Sequence, residues 1–119
     1  MINTRLLKAE EVSLVKALLM TNSKIAEIIV PTLDTTFVEN MDDGGMGSLL
    51  FASCTDDSNR KLGKTLAEAS FLDEDQVPVY VQLNLDNHNQ LFELDIWKVD
   101  YSHMSKWPNL DQIVIKAMN

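Results

Sequence analysis

Residues 41–50 read Met-Asp-Asp-Gly-Gly-Met-Gly-Ser-Leu-Leu, two carboxylates beside three glycines, a set that could hold a metal, cradle a phosphate or make a turn. A calcium loop needs oxygen ligands at alternate positions and a bidentate acid at the twelfth. The run from Asp42 instead supplies apolar residues such as Met46 and Leu50 there. A phosphate loop ends on Gly-Lys-Ser or Gly-Lys-Thr. That triplet occurs at residues 63–65, but position 58, where the loop needs its first glycine, is Ser58. The turn fits best, because glycine reaches positive φ without steric penalty and Asp-Gly is a strong hairpin signal. Residues 42–45 are therefore predicted to join two strands, with Gly47 marking a bulge or a close neighbour and Asp42 and Asp43 left as exposed acids.

The remaining polar residues offer little chemistry. His88 falls in a turn and His103 in the tail, and neither has a Cys, His or acid at metal spacing. Cys54 has no adjacent histidine and reads as an idle thiol. The acids Asp73 and Asp75 belong to a Leu-Asp-Glu-Asp-Gln loop tip that could attract a cation weakly. Glu93 and Asp95 stand on an alternating strand with no evident apolar pocket to raise a carboxyl pKa, so acid-base catalysis is not expected. No enzyme, cofactor or metal is predicted.

Several elements must position these groups. "LLKAEEVSLVKALLMT" puts Leu7, Val12, Leu14, Val15, Leu18 and Leu19 on one helical arc; Glu11 interrupts the arc near the amino end, where a carboxylate is favoured by the dipole and can lean out to water. "TNSKIAEIIVP" reads as a second helix, capped by Asn22 or Ser23, lined by Ile25, Ile28 and Ile29, and ended at Pro31. From Thr35 the period becomes two: "TTFVENM", "GSLLFAS", "LGKTLAEASF", "VPVYVQLNL" and "LFELDIWKV" are strand candidates. The third has good helix formers, but its shortness and Gly63 favour a strand with Leu66, Glu68 and Ser70 on one side. The polar runs 54–61 and 72–76 are loop tips.

The last two strands carry the firmest inference. Val77, Val79, Val81, Leu83 and Leu85 alternate with Pro78, Tyr80, Gln82 and Asn84, while Phe92, Leu94 and Ile96 alternate with Glu93, Asp95 and Trp97. A four-residue loop after Leu85 sets Leu83 opposite Phe92, Val81 opposite Leu94 and Val79 opposite Ile96; a shift of two keeps the same faces. One face is then all core. The other holds acids, an amide, a phenol and an indole, a mixture typical of interaction surfaces. The competing arrangement has "SKWPNLDQIVIKAM" fold back over that face and bury Tyr80 and Trp97 beneath Ile113 and Ile115.

A chain of 119 residues is one domain by length and buries enough surface to need no staple. Single Cys54 cannot pair internally and residues 1–8 lack a signal-peptide pattern, so a cytoplasmic home is expected; no apolar run is long enough for a membrane span. A net charge of −8 repels nucleic acid and favours encounter with a basic protein, although acidity also serves solubility alone.

With "MDDGGMGSLLF" and "LNLD…LFELDIWKVD" in view, the chain resembles a small bacterial family without an assigned activity, which shares these two motifs over roughly residues 5–101. By size, acidity and layout, though not by motif, it is also similar to immunity proteins of bacterial toxin systems, including contact-dependent growth inhibition. In those systems a small cytosolic protein occupies a nuclease toxin's active site or a neighbouring surface. The expected fold is α+β: an N-terminal helical hairpin on a four- to five-stranded antiparallel sheet. The expected function is neutralisation of a basic toxin domain by occlusion. Asp42, Asp43, Asp73, Asp75, Glu93 and Asp95 would meet its Lys and Arg side chains, with Tyr80 and Trp97 as anchors. The alternative is a regulatory domain with a small-molecule pocket between helix and sheet, and an exposed edge at "TTFVENM" could support a homodimer.

Overall fold

The computed structural model describes residues 3–52 and 59–118; Cys54 and Ser58 lie outside the described residues. In chain order come strand β1 (Thr4–Leu6), helix α1 (Ala9–Leu19) and helix α2 (Ser23–Ile29), which runs into a 3-10 turn (Val30–Thr35). Strands β2 (Phe37–Asn40), β3 (Leu49–Phe51), β4 (Leu62–Leu72), β5 (Pro78–Asp86) and β6 (Leu91–Lys98) follow, then a 3-10 turn (Leu110–Gln112) and strand β7 (Val114–Ala117). All pairings are antiparallel, in one sheet ordered β1-β2-β3-β6-β5-β4-β7.

The architecture is α+β with an antiparallel sheet, but among the described residues the sheet has seven strands where four or five were expected. The additional two, β1 and β7, are three and four residues long, too short to show a period of two in sequence. They form against edges that longer strands supply. β1 also overturns the proposed edge at residues 35–41, since β2 is paired on both sides, by β1 and β3.

Helix α1 buries Leu14, Val15, Leu18 and Leu19 against the sheet, as its apolar arc requires. Glu11 departs from expectation: it is buried rather than turned to water. The Arg5 guanidinium on β1 donates to its two oxygens at 2.8 and 2.9 Å, and the Lys8 N–H donates at 2.8 Å. Burial pushes this carboxyl up, yet Arg5 and the Lys8 amide together hold it below its ordinary value. The second arm of the hairpin is slight. In α2, capped by the Asn22 side chain, only Ala26 is fully buried and Ile28 points outward.

The β5–β6 register is the shifted one, with Val81 opposite Ile96 and Leu83 opposite Leu94. A bulge leaves Phe92 without a partner, between Asn84–Glu93 and Leu85–Leu91. Leu91 therefore fills the core position expected of Phe92, and the Arg60 guanidinium lies 4.9 Å above the Phe92 ring. The third strand candidate is a strand, β4, with bulges of its own. One of them turns Leu66 into the core, away from Glu68 and Ser70. At Gly63 an added Cβ would lie 2.3 Å from the Asp86 carbonyl oxygen, so close backbone approach, and not a phosphate, explains this glycine.

The helices, the tail and one face of the sheet enclose a single apolar cluster, with Met104, Trp107, Ile113 and Ile115 packed against it. The tail thus goes to the core side, and β7 pairs along the edge of β4. The opposite sheet face is not covered by it.

Candidate functional site

The open face is built by alternation. Because Val79, Val81, Leu94 and Ile96 turn into the core, Tyr80, Gln82, Asp95 and Trp97 must point the other way. Registers across four strands align them in two rows. One runs Asp95, Gln82, Glu68, Lys116; the next runs Trp97, Tyr80, Ser70, Val114. A third row holds Glu39, Leu50, Glu93 and Asn84.

Tyr80 and Trp97 are 47% and 41% exposed and stack on one another with centroids 5.8 Å apart; Tyr101, 70% exposed, leans on Trp97 at 6.1 Å. Rings this exposed lose apolar contact that a covered position would supply, so folding alone does not account for them. Around them, Glu93 accepts from the Asn84 amide at 2.9 Å and Glu68 from the Gln82 amide at 2.9 Å. Asp95 is exposed, and among the described residues it joins no ion pair. Four carboxylates, those of Glu39, Glu68, Glu93 and Asp95, thus share these three rows with Lys116, their one cation among the described residues.

The glycine-rich turn adjoins the same surface: Asp42, Asp43, Asp95, Trp97 and Tyr101 line a common depression. The turn is the expected hairpin connection, with Gly44, Gly45 and Gly47 all at positive φ. Its two acids differ. Asp42 is exposed, whereas the Asp43 carboxylate accepts the Met46 and Ser48 amides at 3.1 and 2.8 Å and so shapes the loop. Gly47 has the close neighbours expected of it: a Cβ there would reach Met104 at 3.2 Å and Ile96 at 3.4 Å.

Asp73 and Asp75 belong to a different place. Lys98, buried at the core-side end of β6, donates to Asp73 at 2.9 Å, to Asp75 at 2.7 Å and to the His103 carbonyl at 3.1 Å. Asp73 is itself buried, and its oxygens accept the amides of Glu74, Ser105 and Lys106. Burial pushes the Asp73 carboxyl up, but the Ser105 amide, Lys98 and the Glu74 amide outweigh it and hold it below its ordinary value. Bonding to Asp75 raises Lys98 against the effect of burial, with Asp73 adding to it. Asp73 is therefore corrected from partner contact to internal latch, since none of its charge reaches solvent. Asp75 keeps an exposed side but is committed to Lys98.

Tyr101 and Glu68 join the face without having been expected on it, while Gln82 is the amide that alternation placed there. Tyr101 lies past the end of β6, and a turn in which its own φ is +61° brings it onto Trp97, so strand parity gives no signal for it. Glu68 required the β4–β5 register, which its sequence does not display.

A family model described as a domain of unknown function, DUF6984, matches residues 4–108. The chain belongs to the DUF6984 family. No curated protein and no solved structure matches it. The DUF6984 match contains β1 to β6 and every aromatic and acidic residue of the open face; β7, which carries Val114 and Lys116, lies beyond it. No helix among the described residues is long and apolar enough to cross a membrane.

Proposed function

We propose that this DUF6984 protein is a non-enzymatic binding protein, an immunity protein that neutralises a cognate bacterial toxin, of nuclease type, by covering its basic surface. The observation carrying this reading is the exposed Tyr80–Trp97 stack on a sheet face with four carboxylates and one lysine. Aromatic anchors in a charged setting are what a protein interface of high discrimination uses, and carboxylates there steer and orient a cationic partner. Glu93, Asp95 and Asp42 supply the charge, Tyr80 and Trp97 the anchoring area. Asp43 contributes at the rim.

The test is co-expression with the product of the neighbouring gene. Growth is expected to be restored by the chain and lost again with the double variant Asp95→Asn, Trp97→Ala, with a complex of defined stoichiometry forming from the purified pair. Absence of both rescue and complex overturns the reading.

A second reading has one observation in its favour. A cleft of about 380 Å3 lies between α2 with its 3-10 turn and the β2–β3 side of the sheet, walled by Ile28, Ile29, Phe37, Phe51 and Leu91. Its walls suit a small apolar molecule in a regulatory domain. A ligand-dependent rise in melting temperature across a metabolite panel would favour it over the toxin reading.

A further inference from the structure

The open face is not uniformly acidic; it contains a groove of about 480 Å3 whose two rows are chemically distinct. Tyr80, Trp97 and Val114 line it along one row, and Asp95, Gln82, Glu68 and Lys116 along the next. We infer that this groove seats an arginine side chain of the partner, its guanidinium against the Tyr80–Trp97 rings and its N–H groups on Asp95. This inference rests on the basic-partner reading above and names the chemistry of its central contact.

Three features argue for arginine. First, Asp95 is available. The buried or loop carboxylates Glu11, Asp43, Asp73 and Asp86 each accept at least two hydrogen bonds within the chain, whereas Asp95 joins no ion pair among the described residues. Glu68, two strands away and about 10 Å off at the backbone, gives only one oxygen to Gln82 and keeps the other as a second acceptor. Second, the chain's own cation lies at the far end of the groove. Lys116 lines it beside Glu68, three strand steps from Asp95 or about 14 Å at the backbone, and among the described residues it forms no ion pair with either acid. Third, the groove pairs an aromatic plane with a carboxylate. A planar, weakly hydrated guanidinium can stack on the one while bonding the other bidentately; a lysine ammonium is a strongly hydrated point charge that gains less from apolar walls.

The test uses the full chain labelled with nitrogen-15 and three probes: N-acetyl-arginine amide, N-acetyl-lysine amide and the neutral isostere N-acetyl-citrulline amide. Expected is a saturable shift of the Trp97 indole N–H with the arginine probe, binding at least threefold weaker with lysine, and no saturable shift with citrulline. Asp95→Asn is expected to weaken the arginine probe about tenfold and Glu68→Gln to weaken it less. Glu27→Gln, an exposed charge removed from α2, is expected to leave it unchanged. Equal responses to arginine and citrulline, equal affinity for lysine, or arginine binding untouched by Asp95→Asn would each overturn the assignment. The two readings fail separately. A toxin complex that survives Asp95→Asn with unchanged affinity removes the arginine seat alone, and arginine bound in the groove without toxin rescue removes the immunity reading alone.

Discussion

Strand β6 carries two charged residues three positions apart that meet opposite fates. Lys98 turns into the protein, where two carboxylates and a carbonyl surround it; Asp95 turns outward and meets no counter-ion among the described residues. Odd spacing on a strand is enough to send the two to opposite faces. The difference lies in what each face requires. A buried charge without partners would destabilise the fold by several kcal/mol, so the core side supplies Asp73, Asp75 and the 102–107 segment that folds over them. Water satisfies Asp95, and an exposed acid imposes no such demand on its neighbours. Internal charges therefore organise the fold, and external ones stay available to a partner.

The sharpest break of this contrast is Asp73→Ala, which leaves the buried Lys98 with only Asp75 and the His103 carbonyl and frees the Ser105 and Lys106 amides. A loss on the order of 3 kcal/mol, or about 10 °C in melting temperature, is expected by calorimetry. Acid should separate the faces next. Glu11, Asp73 and Asp86 all titrate below their ordinary values in the folded chain, so their stabilisation is intact above the unfolded values of 4.5 for Glu and 3.8 for Asp. It fades as pH falls through the lower folded values, and denaturant midpoints should drop there, less steeply in Asp73→Ala. Lys98 runs the other way: raised above its ordinary 10.5, it loses its contribution only as pH rises through the folded value, so neutral pH leaves the latch complete.

On the outer face the effects should shrink. Trp97→Ala removes a half-exposed ring stacked on Tyr80 and should cost about 1 kcal/mol, read from the urea midpoint. Smallest is Asp95→Asn, expected to change stability by no more than about 0.5 kcal/mol while weakening the basic partner's binding, a split measurable by pairing the urea midpoint with calorimetric titration. A large stability loss in Asp95→Asn would erase the contrast between the faces.

Much of the layout was legible because period-two alternation is local. Val79, Val81, Leu94 and Ile96 announce the core, and Tyr80, Asp95 and Trp97 follow by parity. The Asp-Gly turn is legible for the same reason, since positive φ is a property of single residues. Bulges were not. Phe92 and Leu66 each appear in phase with their strands until one unpaired residue inverts the phase, and that depends on the partner strand. The 73–75 acids were misplaced because a loop's charge density says nothing of a lysine 23 residues further along.

Residue types and their spacing by themselves determined the α+β class, the division of β5 and β6 into an inner and an outer face, and the chain's acidity. Those properties arise within a few residues or by simple summation. Tertiary structure alone decided that the tail joins the sheet edge and leaves the aromatic face open, that β1 and β7 exist, and that Asp73 and Glu11 are internal partners of Lys98 and Arg5. Most of these join segments distant in sequence, and even Arg5 and Glu11, six residues apart, sit on β1 and α1, of which β1 exists only by pairing with β2 far along the chain; such pairings form only once the rest of the sheet has brought them within hydrogen-bonding reach.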